Sequence, residues 1–103
     1  MNTQNRKPFF YDVTLRDGNQ ALATPWNNAQ KETVYRQLLK LGVQGVEVGF
    51  ASASDMDFES CMGLAKLTAE LAYAGDAVAQ TVEVASLARA NKNDIQKAWD
   101  AIK

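Results

Sequence analysis

The sequence predicts an α/β fold made of three parallel β/α units, and three observations support this prediction. Short runs rich in aromatic and β-branched residues alternate with longer stretches whose apolar residues recur at helical spacing. Turn-forming and helix-capping residues separate the two kinds of run. Regular alternation of this kind is typical of βαβ units, which have parallel strands and right-handed crossovers.

The first unit begins with the predicted strand Phe9–Leu15, which is aromatic and β-branched. Residues 16–28 are rich in turn formers, and Asn27 or Asn28 can cap the helix that follows. We expect that helix to end at Gly42, because glycine adopts the left-handed conformation at little cost. The apolar positions that define the helix are Val34, Leu38 and Leu41.

The second unit combines the predicted strand Gln44–Phe50 with a helix that Ser54 caps and that runs toward Tyr73. Side chains alternate between the two faces of a strand. One face of this strand should therefore carry Val46, Val48 and Phe50, and the other Gly45, Glu47 and Gly49. The helix carries an apolar stripe of Leu64, Leu67 and Leu71.

The third unit consists of the predicted strand Thr81–Ser86 and a final helix capped near Asn91 or Asn93. Three apolar residues of this helix recur at helical spacing and are expected to face inward: Ile95, Trp99 and Ile102. Together the three units form the predicted domain, residues 9–103, and residues 1–8 are predicted to be a flexible N-terminus.

Two arrangements of such units compete, an open doubly wound sheet and a closed barrel. No Gly-x-Gly-x-x-Gly phosphate-binding motif follows the first strand, which counts against the open sheet. Charged residues recur where successive predicted strands end, and catalytic residues of (β/α)₈ barrels lie at that position. They are Arg16, Asp17, Glu47 and Arg89. The sequence therefore favours the first part of a TIM (β/α)₈ barrel, truncated because eight units need roughly 250 residues.

Composition narrows the function further. The formal net charge is -1, so there is no basic footprint for nucleic acid, and no apolar run is long enough to cross a membrane. The single cysteine, Cys61, fits a reducing cytoplasmic setting, and we expect it to be a buried apolar residue rather than a nucleophile. The chain has no histidine, so metal chemistry here must use carboxylates, carbonyls and water, or residues that this chain does not carry.

The adjacent pair Arg16 and Asp17 offers two complementary chemical tools. Asp17 can bind a divalent cation, which prefers oxygen ligands. Arg16 can polarise an oxygen on which negative charge develops. Gly18 permits a sharp turn directly after them. The alternative interpretation is an ordinary surface ion pair beside a turn.

Two motifs resemble those of a known enzyme family. Residues 14–20, Thr-Leu-Arg-Asp-Gly-Asn-Gln, resemble the strand-one signature of the metal-dependent barrels that include 2-isopropylmalate synthase, homocitrate synthase and hydroxymethylglutaryl-CoA lyase. Residues 46–58 resemble the strand-two signature, especially that of the longer, fungal-like class of 2-isopropylmalate synthases. A looser third match begins at Leu87–Ala90.

The resemblance implies a Claisen-type condensation of acetyl-CoA with a 2-oxo acid in the full-length parent. The preferred version converts 3-methyl-2-oxobutanoate to 2-isopropylmalate, the entry step of leucine biosynthesis, in a cytoplasmic homodimer. The alternatives are a homocitrate or citramalate synthase, an aldol lyase like hydroxymethylglutaryl-CoA lyase, and a non-catalytic fragment.

The same resemblance implies roles for single residues. Asp17 would bind the metal, Mg²⁺ or Mn²⁺ with Zn²⁺ also possible. Arg16 would hold the 2-oxo acid and stabilise developing charge, and Glu47 would be catalytic, in proton transfer or in orienting a metal-bound water. Gln20 and Arg89 would bind substrate. The family's histidine ligands and catalytic histidine are absent, so the 103-residue chain alone is expected to be inactive and aggregation-prone.

Overall fold

A three-stranded parallel sheet flanked by helices organises the computed structural model, which describes residues 8–103. The predicted flexible segment 1–8 therefore lies outside the described residues, apart from Pro8. In chain order the elements are β1 (Tyr11–Asp12), a π-helical turn (Thr14–Gly18), α1 (Asn28–Leu41), β2 (Gly45–Gly49), α2 (Asp55–Tyr73), α3 (Ala77–Thr81), β3 (Glu83–Ser86) and α4 (Lys92–Ile102).

The strands follow the order β1-β2-β3, and both pairs are parallel, which confirms the α/β prediction. Within residues 8–103 the sheet is open, with β1 and β3 at its edges, and it does not close into a barrel. Glu47 pairs with Ala85, but Gly49 pairs with the very next residue, Ser86. One extra residue in β2 therefore forms a bulge between Glu47 and Gly49.

The hydrophobic core lies between the sheet and helices α1 and α2. Val46 and Val48 of β2 are fully buried there. Tyr35 of α1 is also fully buried, and its hydroxyl bonds to that of Thr68 on α2. Cys61 belongs to the same core, which confirms that it is a buried residue. Burial raises the pKa of its thiol to about 11, so the thiol stays protonated at neutral pH.

The predicted helix caps are confirmed. Asn27 forms a capping box with Gln30 at the start of α1, and Gly42 ends that helix with a φ of 78°. The side chains of Ser54 and Asn91 accept backbone N–H groups at the starts of α2 and α4. These caps were readable from the sequence because they satisfy orphan N–H groups through local contacts alone.

The prediction of a long first strand was wrong, because β1 contains only Tyr11–Asp12. The Asp12 carboxylate accepts the backbone N–H of Thr14 at 2.8 Å, a local bond that competes with the ladder. The carbonyl of Val13 then accepts the N–H groups of the next turn: Arg16, Asp17 and Gly18. The chain therefore turns where the sequence pattern indicated a strand. The third strand is also shorter than predicted, because residues 77–81 form α3 instead.

Two predictions of which side chains point toward the core were also wrong. The ring of Phe50 leaves the core face of β2 and lies beneath Arg89, and Gly49 faces Cys61 of α2 rather than the side of Glu47. The bulge causes this change of face. On α4, Ile95 and Trp99 are 56% and 61% exposed instead of facing inward, and the buried residues are Asp94, Ala98 and Ala101.

No helix among residues 8–103 has the length and apolarity needed to cross a membrane.

Candidate active site

The π-helical turn after β1 places Arg16 beside β2. Gly18 donates its N–H to Val13 at 3.3 Å, across five residues, so the turn is wider than an ordinary helical turn. Such turns occur often at functional sites. The Arg16 side chain bonds through Nε to Glu47 Oε1, and its Nη1 lies 3.3 Å from Asp17 Oδ1. The structure thus brings together the three residues that the sequence predicted at one strand-end site.

Glu47 is the centre of this group and is only 7% exposed. Its Oε1 accepts from Arg16, and its Oε2 accepts from the hydroxyl of Tyr11 at 2.7 Å. Because two donors occupy its two oxygens, the buried carboxylate is compensated. The hydrogen bond that Arg16 donates to Glu47 raises the pKa of Arg16, so the guanidinium keeps its charge. Partial burial and the Glu47 bond raise the pKa of Tyr11 to about 12, so its hydroxyl remains a donor.

Gly45 makes room for the Tyr11 ring. Tyr11 and Gly45 are register partners in the sheet, and a Cβ added at Gly45 would lie 2.8 Å from Tyr11 Cδ2. Any larger residue would push the ring away from Glu47. The missing side chain at Gly45 is therefore part of the way that Tyr11 reaches the site.

Asp17 is the predicted metal ligand, and its side chain is 68% exposed. Among residues 8–103, no group of three or more His, Cys, Asp or Glu side chains is arranged to hold a metal ion. The carboxylate is accessible and suits a hard cation as one ligand. Its role as a metal ligand stays a prediction.

A cavity of about 310 Å³ opens beside Arg16 at the carboxyl ends of β1 and β2, and we call it the Lys31 cavity. Gln20, predicted to bind substrate, lines it together with Arg16. Its polar wall is completed by Asn19, Lys31 and Asp57. Its apolar wall is formed by Leu15, Pro25, Trp26, Phe50, Ala53 and Met56. A larger cavity of about 460 Å³, between α1 and the α2–α3 region, contains none of the predicted site residues.

Arg89 is held differently from the other predicted site residues. Its backbone N, Nε and Nη2 all donate to the carboxylate of Asp94, at 3.0, 2.7 and 3.1 Å. Its guanidinium also lies 5.5 Å from the centre of the Phe50 ring. Arg89 does not line the Lys31 cavity. In the structure it fixes the loop after β3, and its predicted role in substrate binding stays a prediction.

The Asp94 carboxylate predicts an acid-sensitive fold. The hydrogen bonds from Arg89 hold its pKa well below the usual range, against the opposing effect of burial. A carboxyl that is more acidic in the folded chain than in the unfolded chain stabilises the fold above pH ~4. That stabilisation is lost as the pH falls below this value. We expect the free energy of unfolding, measured by urea denaturation, to fall between pH 5 and 3, and Asp94→Asn to reduce that slope. An equal slope in Asp55→Asn and Asp94→Asn would contradict this assignment.

Sequence reasoning missed two residues of the site. Tyr11 carried a usable signal, since an aromatic residue stands opposite a glycine in the parallel register. Lys31 carried a clearer one, because it falls on the buried stripe of α1 with Tyr35 and Leu38. A lysine at a core position of an amphipathic helix indicates a buried charge with a specific partner.

Parallel β/α units with polar residues at the carboxyl ends of the strands define an α/β protein, and both (β/α)₈ barrels and open sheets carry their sites at this edge. Within that class, the chain belongs to the HMGL-like family, whose model matches residues 7–103. This confirms the family resemblance of the two motifs.

Curated relatives share most of the chain. "2-Isopropylmalate synthase 2" of Leptospira interrogans is 51% identical over 96 residues, covering 93% of this chain and 20% of the relative. The 2-isopropylmalate synthase of Syntrophus aciditrophicus is 39% identical over 103 residues, which are 100% of this chain and 18% of the relative. That of Bacillus cytotoxicus is 42% identical over 94 residues, 91% and 16% respectively. The chain therefore spans about one fifth of the length of these relatives.

Proposed function

We propose that the chain provides the first three β/α units of an acyltransferase that condenses acetyl-CoA with a 2-oxo acid. The proposed substrate is 3-methyl-2-oxobutanoate and the product 2-isopropylmalate, which enters leucine biosynthesis. The observation that carries the proposal is the 39–51% identity to relatives named 2-isopropylmalate synthase over nearly the whole chain.

The geometry around Arg16 supports an electrostatic role in this reaction. Condensation on a ketone carbon places negative charge on the ketone oxygen, and fixed donors that meet this charge lower the barrier. Arg16 carries such donors, and Glu47 and Asp17 fix the direction of its guanidinium. In this proposal Glu47 positions Arg16, and its predicted catalytic role, in proton transfer or in orienting a metal-bound water, stays a proposal. Gln20 contacts substrate from the cavity wall. Arg89 would act from the neighbouring loop.

The metal belongs to the same proposal. Asp17 would supply one oxygen ligand for Mg²⁺ or Mn²⁺, with Zn²⁺ as a further candidate, and a bound cation would act as a Lewis acid toward the substrate carbonyl. Among residues 8–103, no group of three or more His, Cys, Asp or Glu side chains surrounds Asp17 to complete such a site. A cytoplasmic homodimer is the proposed state of the whole enzyme.

A chimeric enzyme tests the proposal. The 96-residue segment of the Leptospira relative that matches this chain would be replaced by the chain's own residues. We expect acetyl-CoA-dependent release of the CoA thiol with 3-methyl-2-oxobutanoate in the presence of Mg²⁺ or Mn²⁺. Parallel assays with 2-oxoglutarate and pyruvate distinguish homocitrate and citramalate synthesis from the proposed reaction.

Two variants of the chimera make the test specific to the site. Asp17→Ala should abolish metal-dependent thiol release, whereas Asp55→Ala, at an exposed aspartate of α2, should retain it. A soluble, folded chimera that releases no thiol with any of the 2-oxo acids would reject the proposal. For the isolated 103-residue chain we expect no thiol release, and measured turnover would show that the expectation of an inactive fragment was wrong.

A further inference from the structure

Tyr11 holds the oxygen of Glu47 that Arg16 does not use. The Glu47 carboxylate has one donor on each oxygen: Arg16 Nε bonds to Oε1, and the Tyr11 hydroxyl bonds to Oε2 at 2.7 Å. A carboxylate bound at one oxygen can still rotate, whereas bonds at both oxygens fix its plane. Only 7% of Glu47 is exposed, so water has little room to replace a missing donor. The hydroxyl of Tyr11 therefore fixes the orientation of Glu47.

Glu47 is in turn the main anchor of Arg16. The other partner of the guanidinium is Asp17, whose Oδ1 lies 3.3 Å from Nη1 and whose side chain is 68% exposed. A solvent-exposed ion pair constrains a side chain only weakly. The proposed reaction also assigns Asp17 to the metal, which would compete with Arg16 for the carboxylate oxygens. The direction of the guanidinium therefore depends chiefly on Glu47.

The sheet brings the Tyr11 ring to Glu47 through a close approach at Gly45. A Cβ added at Gly45 would lie 2.8 Å from Tyr11 Cδ2 and 3.2 Å from Phe9 Cε1. Both aromatic rings thus use space that a side chain at this position would fill. Neither Tyr11 nor Glu47 lines the Lys31 cavity. Any effect of Tyr11 on a substrate in that cavity would therefore pass through Glu47 and Arg16.

We propose that Tyr11 is a positioning residue: its hydroxyl holds Glu47 so that the guanidinium of Arg16 stays directed at the ketone oxygen. The proposal rests on the condensation proposed above, because it names the residue that keeps the oxyanion donor of that reaction in place. No bond of the substrate is made or broken at Tyr11. The phenol shares its proton in a hydrogen bond and keeps it, since the pKa of Tyr11 is raised to about 12.

Removing the hydroxyl of Tyr11 tests the proposal in the chimeric enzyme. Tyr11→Phe keeps the ring and should lower kcat for CoA thiol release by about tenfold, the cost of losing one hydrogen bond to a charged group. The matched control is Tyr35→Phe, which removes a buried hydroxyl from the core, where it bonds to Thr68. Its kcat should equal that of the parent chimera. An unchanged kcat in Tyr11→Phe, or an equal loss in both variants, would overturn the proposal.

A double-mutant cycle separates positioning from a general effect on the fold. If Tyr11 acts through Arg16, Tyr11→Phe should lower kcat in the parent chimera but cause no further loss in the Arg16→Met background. A residue that only stabilises the fold would lower kcat by the same factor in both backgrounds. Equal factors would therefore contradict the proposed role.

Gly45→Ala displaces the same ring without changing Tyr11 itself. The added Cβ should move the ring away from Glu47 and lower kcat in the parent chimera, with no further loss in the Tyr11→Phe background. Gly63→Ala is the control, because a Cβ at Gly63 of α2 would meet open space among the described residues. Its kcat should not change. Losses that multiply in the double variant of Gly45 and Tyr11 would count against the proposal.

An NMR measurement on the 103-residue chain needs no activity. The Nε–H group of Arg16 donates to Glu47 and should exchange slowly with water while that bond is held. Tyr11→Phe should speed this exchange several-fold, and Tyr35→Phe should leave it unchanged. Arg16→Lys identifies the signal by removing it. Equal exchange rates in Tyr11→Phe and the unmodified chain would overturn the proposal, whatever the activity of the chimera.

The kinetic and NMR tests together distinguish failure of this proposal from failure of the condensation. A folded chimera without thiol release, combined with faster Arg16 exchange in Tyr11→Phe, would reject the condensation and support the link from Tyr11 through Glu47 to Arg16. An active chimera in which Tyr11→Phe keeps the full kcat would reject the positioning role alone.

Discussion

Replacing Arg16 by methionine in the chimeric enzyme should lower kcat by about 10²–10³-fold, the usual cost of removing one donor from a developing oxyanion. Methionine fills a similar space but carries no charge. Arg16→Lys should also lose most of this activity, because an ammonium cannot reproduce the planar donor geometry that Glu47 and Asp17 orient. The measurement is the steady-state rate of CoA thiol release at saturating 2-oxo acid.

The control for this prediction is Arg36→Met. Arg36 is an exposed arginine of α1 whose partner, Glu32, lies four residues earlier on the helix surface. Surface pairs of this kind contribute little to stability, so kcat should remain within about twofold of the parent chimera. An equal loss of kcat in Arg16→Met and Arg36→Met would show that the loss of any positive charge lowers kcat, and that the oriented guanidinium of Arg16 has no special role.

Replacing Tyr35 by alanine should destabilise the fold by about 3–5 kcal/mol, the range for removing a buried aromatic side chain. A chain of this size has roughly 5–15 kcal/mol of stability in total. The variant is therefore expected to lose much of its cooperative unfolding transition in urea. The reason is the complete burial of the ring between α1 and the rest of the core.

Two further tyrosine variants separate the contributions to this effect. Tyr35→Phe should cost only about 1 kcal/mol, because Thr68 still donates its hydroxyl to the carbonyl of Leu64 at 2.7 Å. Tyr73→Ala removes a side chain that is 95% exposed and should change stability by less than about 0.5 kcal/mol. Similar losses in Tyr35→Ala and Tyr73→Ala would contradict the location of the core.

The sequence was enough to predict the helix caps. It was also enough to predict that Arg16, Asp17 and Glu47 lie close together. The caps at Asn27 and Ser54 depend only on neighbours along the chain. The charged residues converge because the carboxyl ends of adjacent parallel strands lie at one edge of a sheet. A pattern that needs only strand direction is therefore predictable without coordinates.

Features that depend on competition or orientation were not predictable. The side chain of Asp12 captures a backbone N–H that a longer first strand would have used. On α4 the apolar residues Ile95 and Trp99 are exposed, whereas Asp94 is buried and paired with Arg89. Periodicity shows which residues share a face, but it does not show which face is covered. For the same reason Arg89 could be placed near the site but not matched to its partner.

The bulge in β2 interrupts the regular alternation of side chains between the two faces of the strand. Up to Glu47, adding or deleting one residue would reverse which side chains face the helices, exchanging the acid for a valine at the site. Beyond Gly49 the alternation has already been reset, so the loop that follows can change length without turning Glu47. A change in the length of that loop is therefore expected to leave the hydrogen bonds of Arg16 and Tyr11 to Glu47 in place.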